Sequence, residues 1–368
     1  MDELIPGLPN DIAQECLIRV PYDGFPTVRS VCRRWKQELQ SSQFHSLRKT
    51  AGLTRPVIAL AQAEPALAPA AGPAKKYTAS ASPSYRLVLF EPVTGAWSCP
   101  PPIPGLLRGL PLFCHLAAVG RELVVVCGCD PETWAASDEV HIYDFEAGVW
   151  RRGARMPGPR RSFFACAASE ELRAVFVAGG HDEEKNALRS AMAYDVVANA
   201  WAPLPDMAQE RDECRGAFLR GAFHVVGGYP TEAQGRFSRS AEAFHVVSRR
   251  WGPVEEDKLE VGTCPRACVA GGDGRLHMCG PRGDVAALSD DGSGAWRAVA
   301  EAPETARVAP LLVAWERSLM LIGSEKRGGG HVGYVGEVGA GKGATTWKRV
   351  ATPEEFSGHV QAGCSMEI

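Results

Sequence analysis

Residues 172–180 read LRAVFVAGG and residues 194–201 read YDVVANAW. The first is a β-branched run that suits a buried strand and ends on Gly179 and Gly180. A glycine pair there lets neighbouring backbones approach closely and permits a bulge that a Cβ would resist. In the second, Tyr194 precedes Trp201 by seven residues across a polar turn, the pattern of two short strands joined by a hairpin. Ahead of both lies SFFACAA, another short apolar strand, so this stretch predicts four consecutive antiparallel strands.

The pattern recurs outward in both directions. Trp97, Trp150, Trp201, Trp251, Trp296 and Trp347 follow one another at 53, 51, 50, 45 and 51 residues. In the first four units an aromatic precedes the tryptophan by seven: Phe90, Tyr143, Tyr194 and Phe244. Glycine-terminated runs recur as ELVVVCG, AFHVVGG, LHMCG and LMLIG, the last two having lost one glycine of the pair. Inner-strand candidates recur as GAFLRG, ACVAGG and LLVAW. Four-stranded units of about 50 residues predict a mainly β fold, a six-bladed propeller. The double glycine, spaced aromatic and tryptophan resemble the kelch repeat; no tryptophan is followed by Asp, as a WD-type blade would require.

Blade one offers PVIALAQ, YRLVLFE and the Trp97 segment with no strand ahead of them, whereas GHVQAGCSM near the C-terminus has no blade of its own. Residues 358–368 are therefore expected to close blade one, which ties the ends of the ring and removes free edges. Within that blade, residues 61–84 are rich in Ala, Pro and Ser and predict a low-complexity insertion, with Lys75 and Lys76 solvated.

The first 45 residues form a different unit. Ile12, Cys16, Leu17 and Val20 share one face of a helix ending at Pro21. Val28, Val31, Cys32, Trp35 and Leu39 predict a second helix, with Arg29, Arg33, Lys36 and Gln40 opposite. A hairpin this small buries too little surface to stand alone and needs a partner.

The opening Leu8-Pro9 with Asp11, and the segment Val31-Cys32-Arg33-Arg34-Trp35, resemble an F-box. That resemblance implies a small all-α module over residues 1–45 that docks on a Skp-type adaptor and through it a cullin-based ubiquitin ligase. The implied adaptor contacts are Ile5, Leu8, Pro9, Ile12 and Leu17, with Val31 and Trp35 partly structural. The alternative is a helical pair that packs on its own propeller. With residues 46–56 as a short linker and 57–368 as propeller, the order resembles plant F-box/kelch-repeat substrate receptors. MDELIPGLPNDIA and VRSVCRRW resemble the subgroup that recognises phenylalanine ammonia-lyase or type-B response regulators. The resemblance implies a non-catalytic subunit that raises the effective concentration of target lysines beside a ubiquitin-loaded enzyme. The alternative output is non-degradative scaffolding or sequestration.

A protein substrate is expected where the inter-blade connections gather around the channel. Arg161, Arg215, Arg266 and Arg307 each stand ahead of an inner strand and would form a carboxylate-binding ring, with Asp182 and Tyr229 in adjoining loops. The alternative for each arginine is a structural pair with a neighbouring blade.

Composition excludes other classes. Hydrophobic residues at 45% and charged residues at 23% fit neither wholesale disorder nor a membrane protein. A net charge of −3 provides no general drive toward nucleic acid or anionic lipid. No leader or apolar span is apparent, which points to the cytoplasm and nucleus. The twelve cysteines read mostly as core thiols; Cys127 with Cys129 and Cys264 with Cys268 lack zinc-site spacing, so no metal or cofactor is expected. Gly339, Gly341 and Gly343 with Lys342 lack the phosphate-loop spacing and are expected to form a hairpin turn.

Overall fold

The structure is a computed structural model, and it describes residues 3–65, 83–289, 294–338 and 345–368. Six four-stranded antiparallel sheets form a propeller, preceded by four short helices. The inner strands of blades two to six are His115–Val119, Ala165–Ser169, Arg215–Leu219, Cys268–Ala270 and Val308–Trp315. The C-terminal strand Val360–Glu367 is the inner strand of blade one, antiparallel to Pro56–Ala63, with Pro56 opposite Glu367 and Gln62 opposite Val360. Main-chain bonds between Arg55 and Ile368, 2.7 and 2.9 Å, extend this pairing to the chain's last residue.

The apolar cores lie between blades. Val124 and Val126 of blade two pack with Val175, Val177 and Tyr194 of blade three, while Phe176 and Ala178 turn the other way onto Phe223, Val225 and Phe244 of blade four. Each second strand is thus covered on both sides, which is why AVFVA is buried throughout instead of alternating with water.

The recurrent tryptophans pair directly with their spaced aromatics. Phe90 faces Trp97, Tyr143 faces Trp150, Tyr194 faces Trp201 and Phe244 faces Trp251 across the outer hairpin of each blade. All six indole N–H groups then donate to a carbonyl of the preceding blade: Trp97 to Ala351 (3.0 Å), Trp150 to Pro101 (2.6 Å), Trp201 to Ala154 (2.8 Å), Trp251 to Pro205 (2.7 Å), Trp296 to Lys258 (2.8 Å) and Trp347 to Glu301 (2.9 Å). The first of these joins blade one to blade six. The period of about 50 is therefore the period of an inter-blade clasp, in which a large apolar ring fills the seam and its polar edge stays bonded.

The double glycines allow the lead-in to each inner strand to cross close above them. A Cβ on Gly180 (φ 80°) would lie 2.4 Å from the Ser162 carbonyl oxygen, and one on Gly228 (φ 80°) 2.6 Å from that of Asp212. Antiparallel bridges mark the crossing in three blades: Leu112 with Cys129, Ser162 with His181, and Asp212 with Tyr229.

The helices are α1 (Asn10–Ile18), α2 (Phe25–Val31), α3 (Arg33–Leu39) and α4 (Ser42–Thr50). The single second helix expected over residues 28–39 is broken. Cys32 is extended (φ −159°, ψ 165°), ending α2, and its Sγ caps α3 by accepting from the Trp35 N–H at 3.4 Å. Apolar spacing runs unchanged through this break and cannot report it. Ser41 caps α4, which covers the first residues of the expected linker. In blade one, Pro56–Ala63 runs into the expected insertion, whose residues 66–82, with Lys75 and Lys76, lie outside the described residues. The glycine-rich turn at Gly339–Gly343 lies outside them as well.

Leu17, Ile18, Phe25, Leu39 and Phe44 share one continuous core with Leu89, Tyr143, Phe145 and Ile368. The helices thus pack on the seam between blades one and two. Tyr22 meets Phe145 edge-on at 6.2 Å, Arg121 bonds His45 at 3.0 Å, and buried Glu146 lies 2.9 Å from Arg121 and 3.8 Å from Arg29 of α2. Among the described residues no helix is long and apolar enough to cross a membrane.

Candidate functional site

Two surfaces gather the candidate residues among those described. The first is on the helices. Trp35 is half-buried because its indole N–H donates to the Leu4 carbonyl (2.7 Å), and Leu17 is in the core. Ile12 is 48% exposed and Val31 58%, with Pro9, Cys16 and Cys32 also exposed and Ile5 and Leu8 half-buried. Packing against the propeller uses one side of the module and leaves Pro9, Ile12, Cys16, Val31 and Cys32 exposed, with Ile5 and Leu8 partly covered by the shared core. Leu17 is thereby corrected from contact to core, because it is only 3% exposed.

The second surface is the channel mouth, where the glycine-supported lead-ins converge. Phe113, Phe163 and Glu213 occupy the same place in blades two, three and four, two residues ahead of the inner strand. All three have left-handed backbones, φ 57°, 55° and 50°. That conformation costs a residue with a Cβ about 1–2 kcal/mol, and glycine would avoid it. Trp134, in the loop between the second and third strands of blade two, also has φ 58°. The rings form a ladder: Trp134 to Phe113 6.0 Å, Phe113 to Phe163 4.8 Å, and Phe163 to His181 5.5 Å between centroids. Trp134 is 59% and Phe113 37% exposed. His181 is fixed by Asp212 at 2.9 Å and by Lys185 at 2.9 Å.

The four expected arginines do not form one ring. Arg161 is 1% exposed and donates to the carbonyls of Gly179 and Ser190, both 3.1 Å, and to the Ser190 hydroxyl, 2.9 Å. Its counterpart in blade four is Arg211, not Arg215: Arg211 is equally buried and bonds the carbonyls of Gly227 (2.8 Å) and Ser240 (3.2 Å) and the Ser240 hydroxyl (2.9 Å). Both are struts holding the double-glycine turn, and Arg211 adds buried Glu242 at 3.2 Å. Arg307 is tied to the Ala302 carbonyl (2.9 Å) and Glu301 (2.6 Å), linking the end of blade five to the start of blade six. Of the four, Arg215 and Arg266 bond the inner strands of other blades. Arg215 Nε donates to the Cys268 carbonyl of blade five at 3.3 Å. Arg266 Nη2 spans from blade five to blade one, 2.9 Å from the Val360 carbonyl and 3.4 Å from His359 Nε2. Burial, and then the neighbouring Arg215, push the Arg266 guanidinium below its usual pKa.

Tyr229 is buried, and its hydroxyl donates to Glu213 at 2.8 Å, so it positions that carboxylate without facing a ligand. Asp182 accepts from the backbone N–H groups of Glu184 (3.0 Å) and Asn186 (2.9 Å) and shapes its loop. Among the described residues no group of three or more His, Cys, Asp or Glu side chains is placed to hold a metal ion.

Comparison with known proteins bears on both surfaces. The F-box domain model matches residues 5–47, and the Kelch motif model matches 112–157 and 160–208. The chain is 44% identical to the F-box/kelch-repeat protein At1g15670 of Arabidopsis thaliana, with all of both chains covered. It is also 44% identical over the whole of both chains to At1g80440, and 35% identical to At2g44130 across 73% of this chain and 69% of that one, both F-box/kelch-repeat proteins of the same plant. The chain belongs to the F-box/kelch-repeat family.

In this F-box/kelch-repeat chain the F-box helices carry the exposed apolar face, and kelch blades two and three carry the aromatic ladder. F-box and kelch domains together mark a substrate-adaptor role, which fits a non-catalytic protein. Sequence reasoning missed the ladder, although Phe113 and Phe163 stand 50 residues apart, within the repeat period. It also missed Arg211. Taking the arginine next to the apolar segment GAFLRG selected Arg215, whereas Arg161 and Arg211 stand 50 residues apart, within the repeat period, and each four residues ahead of its inner strand.

Proposed function

We propose that the chain is the substrate-recognition subunit of an SCF-type ubiquitin ligase, acting in the cytoplasm and nucleus. Ile5, Leu8, Pro9, Ile12 and Val31 meet a Skp-type adaptor that links to a cullin. The channel mouth holds the target, and on the resemblance of MDELIPGLPNDIA and VRSVCRRW that target is phenylalanine ammonia-lyase or a type-B response regulator. The outcome is ubiquitination of the target and its degradation.

One observation carries this reading: the helices and the aromatic ladder lie at opposite ends of the same strands. Arg121, which contacts His45, precedes the strand Glu122–Cys129, and Cys129 at its far end bridges to Leu112 beside Phe113. An eight-residue strand spans about 25 Å, so both partners can be held at once without collision. The short rigid seam fixes the distance between them, which keeps the effective concentration of target lysines high.

Reconstitution tests the proposal. Purified chain with a Skp-type adaptor, cullin and conjugating enzyme is expected to ubiquitinate phenylalanine ammonia-lyase or a type-B response regulator. Ile12→Glu with Val31→Glu is expected to abolish transfer while leaving target capture intact. Transfer that persists in the double variant would overturn the proposal.

A further inference from the structure

Arg215 and Arg266 bond the inner strands of other blades, and among the described residues no carboxylate meets either guanidinium. Their partners are the carbonyls of Cys268 and Val360 and the imidazole of His359. Glu213, the acid nearest in sequence to Arg215, accepts from the Tyr229 hydroxyl. The Arg215 charge bears on groups from four other blades, His115, Cys166, Cys268 and Cys364, as expected of a cation near the propeller axis. Burial holds both guanidinium groups below their usual pKa. Desolvating a cation is unfavourable unless an anion meets it.

The aromatic ladder adjoins this pair through bonded neighbours. Arg266 bonds the Val360 carbonyl, the next residue Gln361 accepts from the Phe113 N–H at 2.7 Å, and Gln361 Nε2 donates to the Pro111 carbonyl at 2.9 Å. Arg266 and Phe113 therefore hold adjacent residues, Val360 and Gln361, of the inner strand of blade one. Phe113, Phe163 and Trp134 accept strained backbones to present those rings, and strain of this kind clusters where a surface meets a ligand.

We infer that the channel mouth reads a short extended segment of the target protein, in which an acidic side chain enters between Arg215 and Arg266 and an aromatic side chain two residues away stacks on Phe113, Phe163 and Trp134. In an extended segment residues i and i+2 point the same way, which lets both enter from above. Guanidinium supplies paired donors to the carboxylate, and ring stacking adds apolar area with geometric selectivity. The inference rests on the substrate-receptor reading and gives it a ligand class.

Labelled peptides with a central Glu-Ser-Phe, and matched Gln-Ser-Phe, Glu-Ser-Ala and Lys-Ser-Phe versions, test this by fluorescence polarisation against the full chain, with inorganic phosphate as competitor. The Glu-Ser-Phe peptide is expected to bind at least tenfold more tightly than each of the others. Arg266→Gln should remove the preference for Glu over Gln. Phe113→Ala and Trp134→Ala, at exposed positions that leave the fold intact, should remove the preference for Phe over Ala. A Lys-Ser-Phe peptide that binds best would overturn the inference, as would equal binding of Glu-Ser-Phe and Glu-Ser-Ala. Phosphate displacing the label as effectively as unlabelled Glu-Ser-Phe peptide would also overturn it, by marking a site for small free anions. If no peptide binds while the same preparation still co-elutes with a Skp-type adaptor and captures its target, the peptide inference fails and the receptor reading stands.

Discussion

Replacing Arg161 with alanine separates a structural strut from a recognition residue. The side chain is 1% exposed and satisfies three acceptors, the carbonyls of Gly179 and Ser190 and the Ser190 hydroxyl. Each acceptor left unpaired in the interior costs about 1–3 kcal/mol. Part of that is offset because among the described residues no carboxylate pairs with Arg161 and its Nε is unbonded, so its removal also relieves a desolvated charge. The net loss should be about 2–4 kcal/mol. Arg211→Ala should cost more, about 3–5 kcal/mol, because besides the Gly227 and Ser240 carbonyls it takes the paired cation from fully buried Glu242, which among the described residues keeps only the N–H groups of Ala208 and Gln209. Equilibrium urea unfolding followed by tryptophan fluorescence measures both, with Arg160→Ala as the exposed neighbour for reference. The expected order is Arg211→Ala below Arg161→Ala below Arg160→Ala. If Arg161→Ala unfolds together with Arg160→Ala, within about 0.5 kcal/mol as surface changes do, the strut assignment is wrong and Arg161 returns to the recognition surface.

Three further outcomes follow from the packing. Leu17→Ala should cost about 2–5 kcal/mol because the residue lies in the core shared by helices and propeller, whereas Ile12→Glu at its 48% exposed site should leave the urea midpoint unchanged; equal midpoints would contradict the burial. Removing residues 360–368 deletes the inner strand of blade one and leaves Pro56–Gln62 unpaired on that side, so cooperative unfolding should be lost; a truncated chain with an unchanged urea curve would refute closure. His331 and His359 are held down to about 4 by burial first and nearby charge second, and His115 to about 3. The unfolded chain therefore binds more protons below its ordinary histidine pKa of about 6.5. Stability should be full above that pH and fall as pH drops toward 4, read as a urea midpoint lower at pH 5 than at pH 7. A flat profile would mean these rings are solvated.

The ring of blades was legible because its two requirements leave chemical marks. A tryptophan must sit at each seam to clasp the previous blade, and glycine must stand where a lead-in passes within contact distance, as at Gly180 and Gly228. The break at Cys32 was not legible, since one residue turning extended leaves the apolar spacing of α2 and α3 unaltered. The expectation that the helices need an external partner was half of the picture. Phe145, Tyr143 and Ile368 cover one side of them, while Ile12 and Val31 stay exposed. The arginine ring failed for a positional reason: Arg161 stands four residues ahead of its inner strand and serves the turn below it, as Arg211 does, whereas Arg215 is the first residue of its strand and Arg266 bonds across to blade one. Left-handed backbones at Phe113 and Phe163 carry no residue-type signature, because glycine would mark such positions and aromatics do not.

Hydrogen exchange of the full chain with and without a saturating Skp-type adaptor tests the two-surface account most directly. Slowed exchange is expected across residues 5–31 on α1 and α2, with no change in the lead-ins around Phe113 and Phe163 or in the loop at Trp134. Protection at the channel mouth, or none on the helices, would contradict the claim that adaptor and target are gripped at opposite ends of the blades.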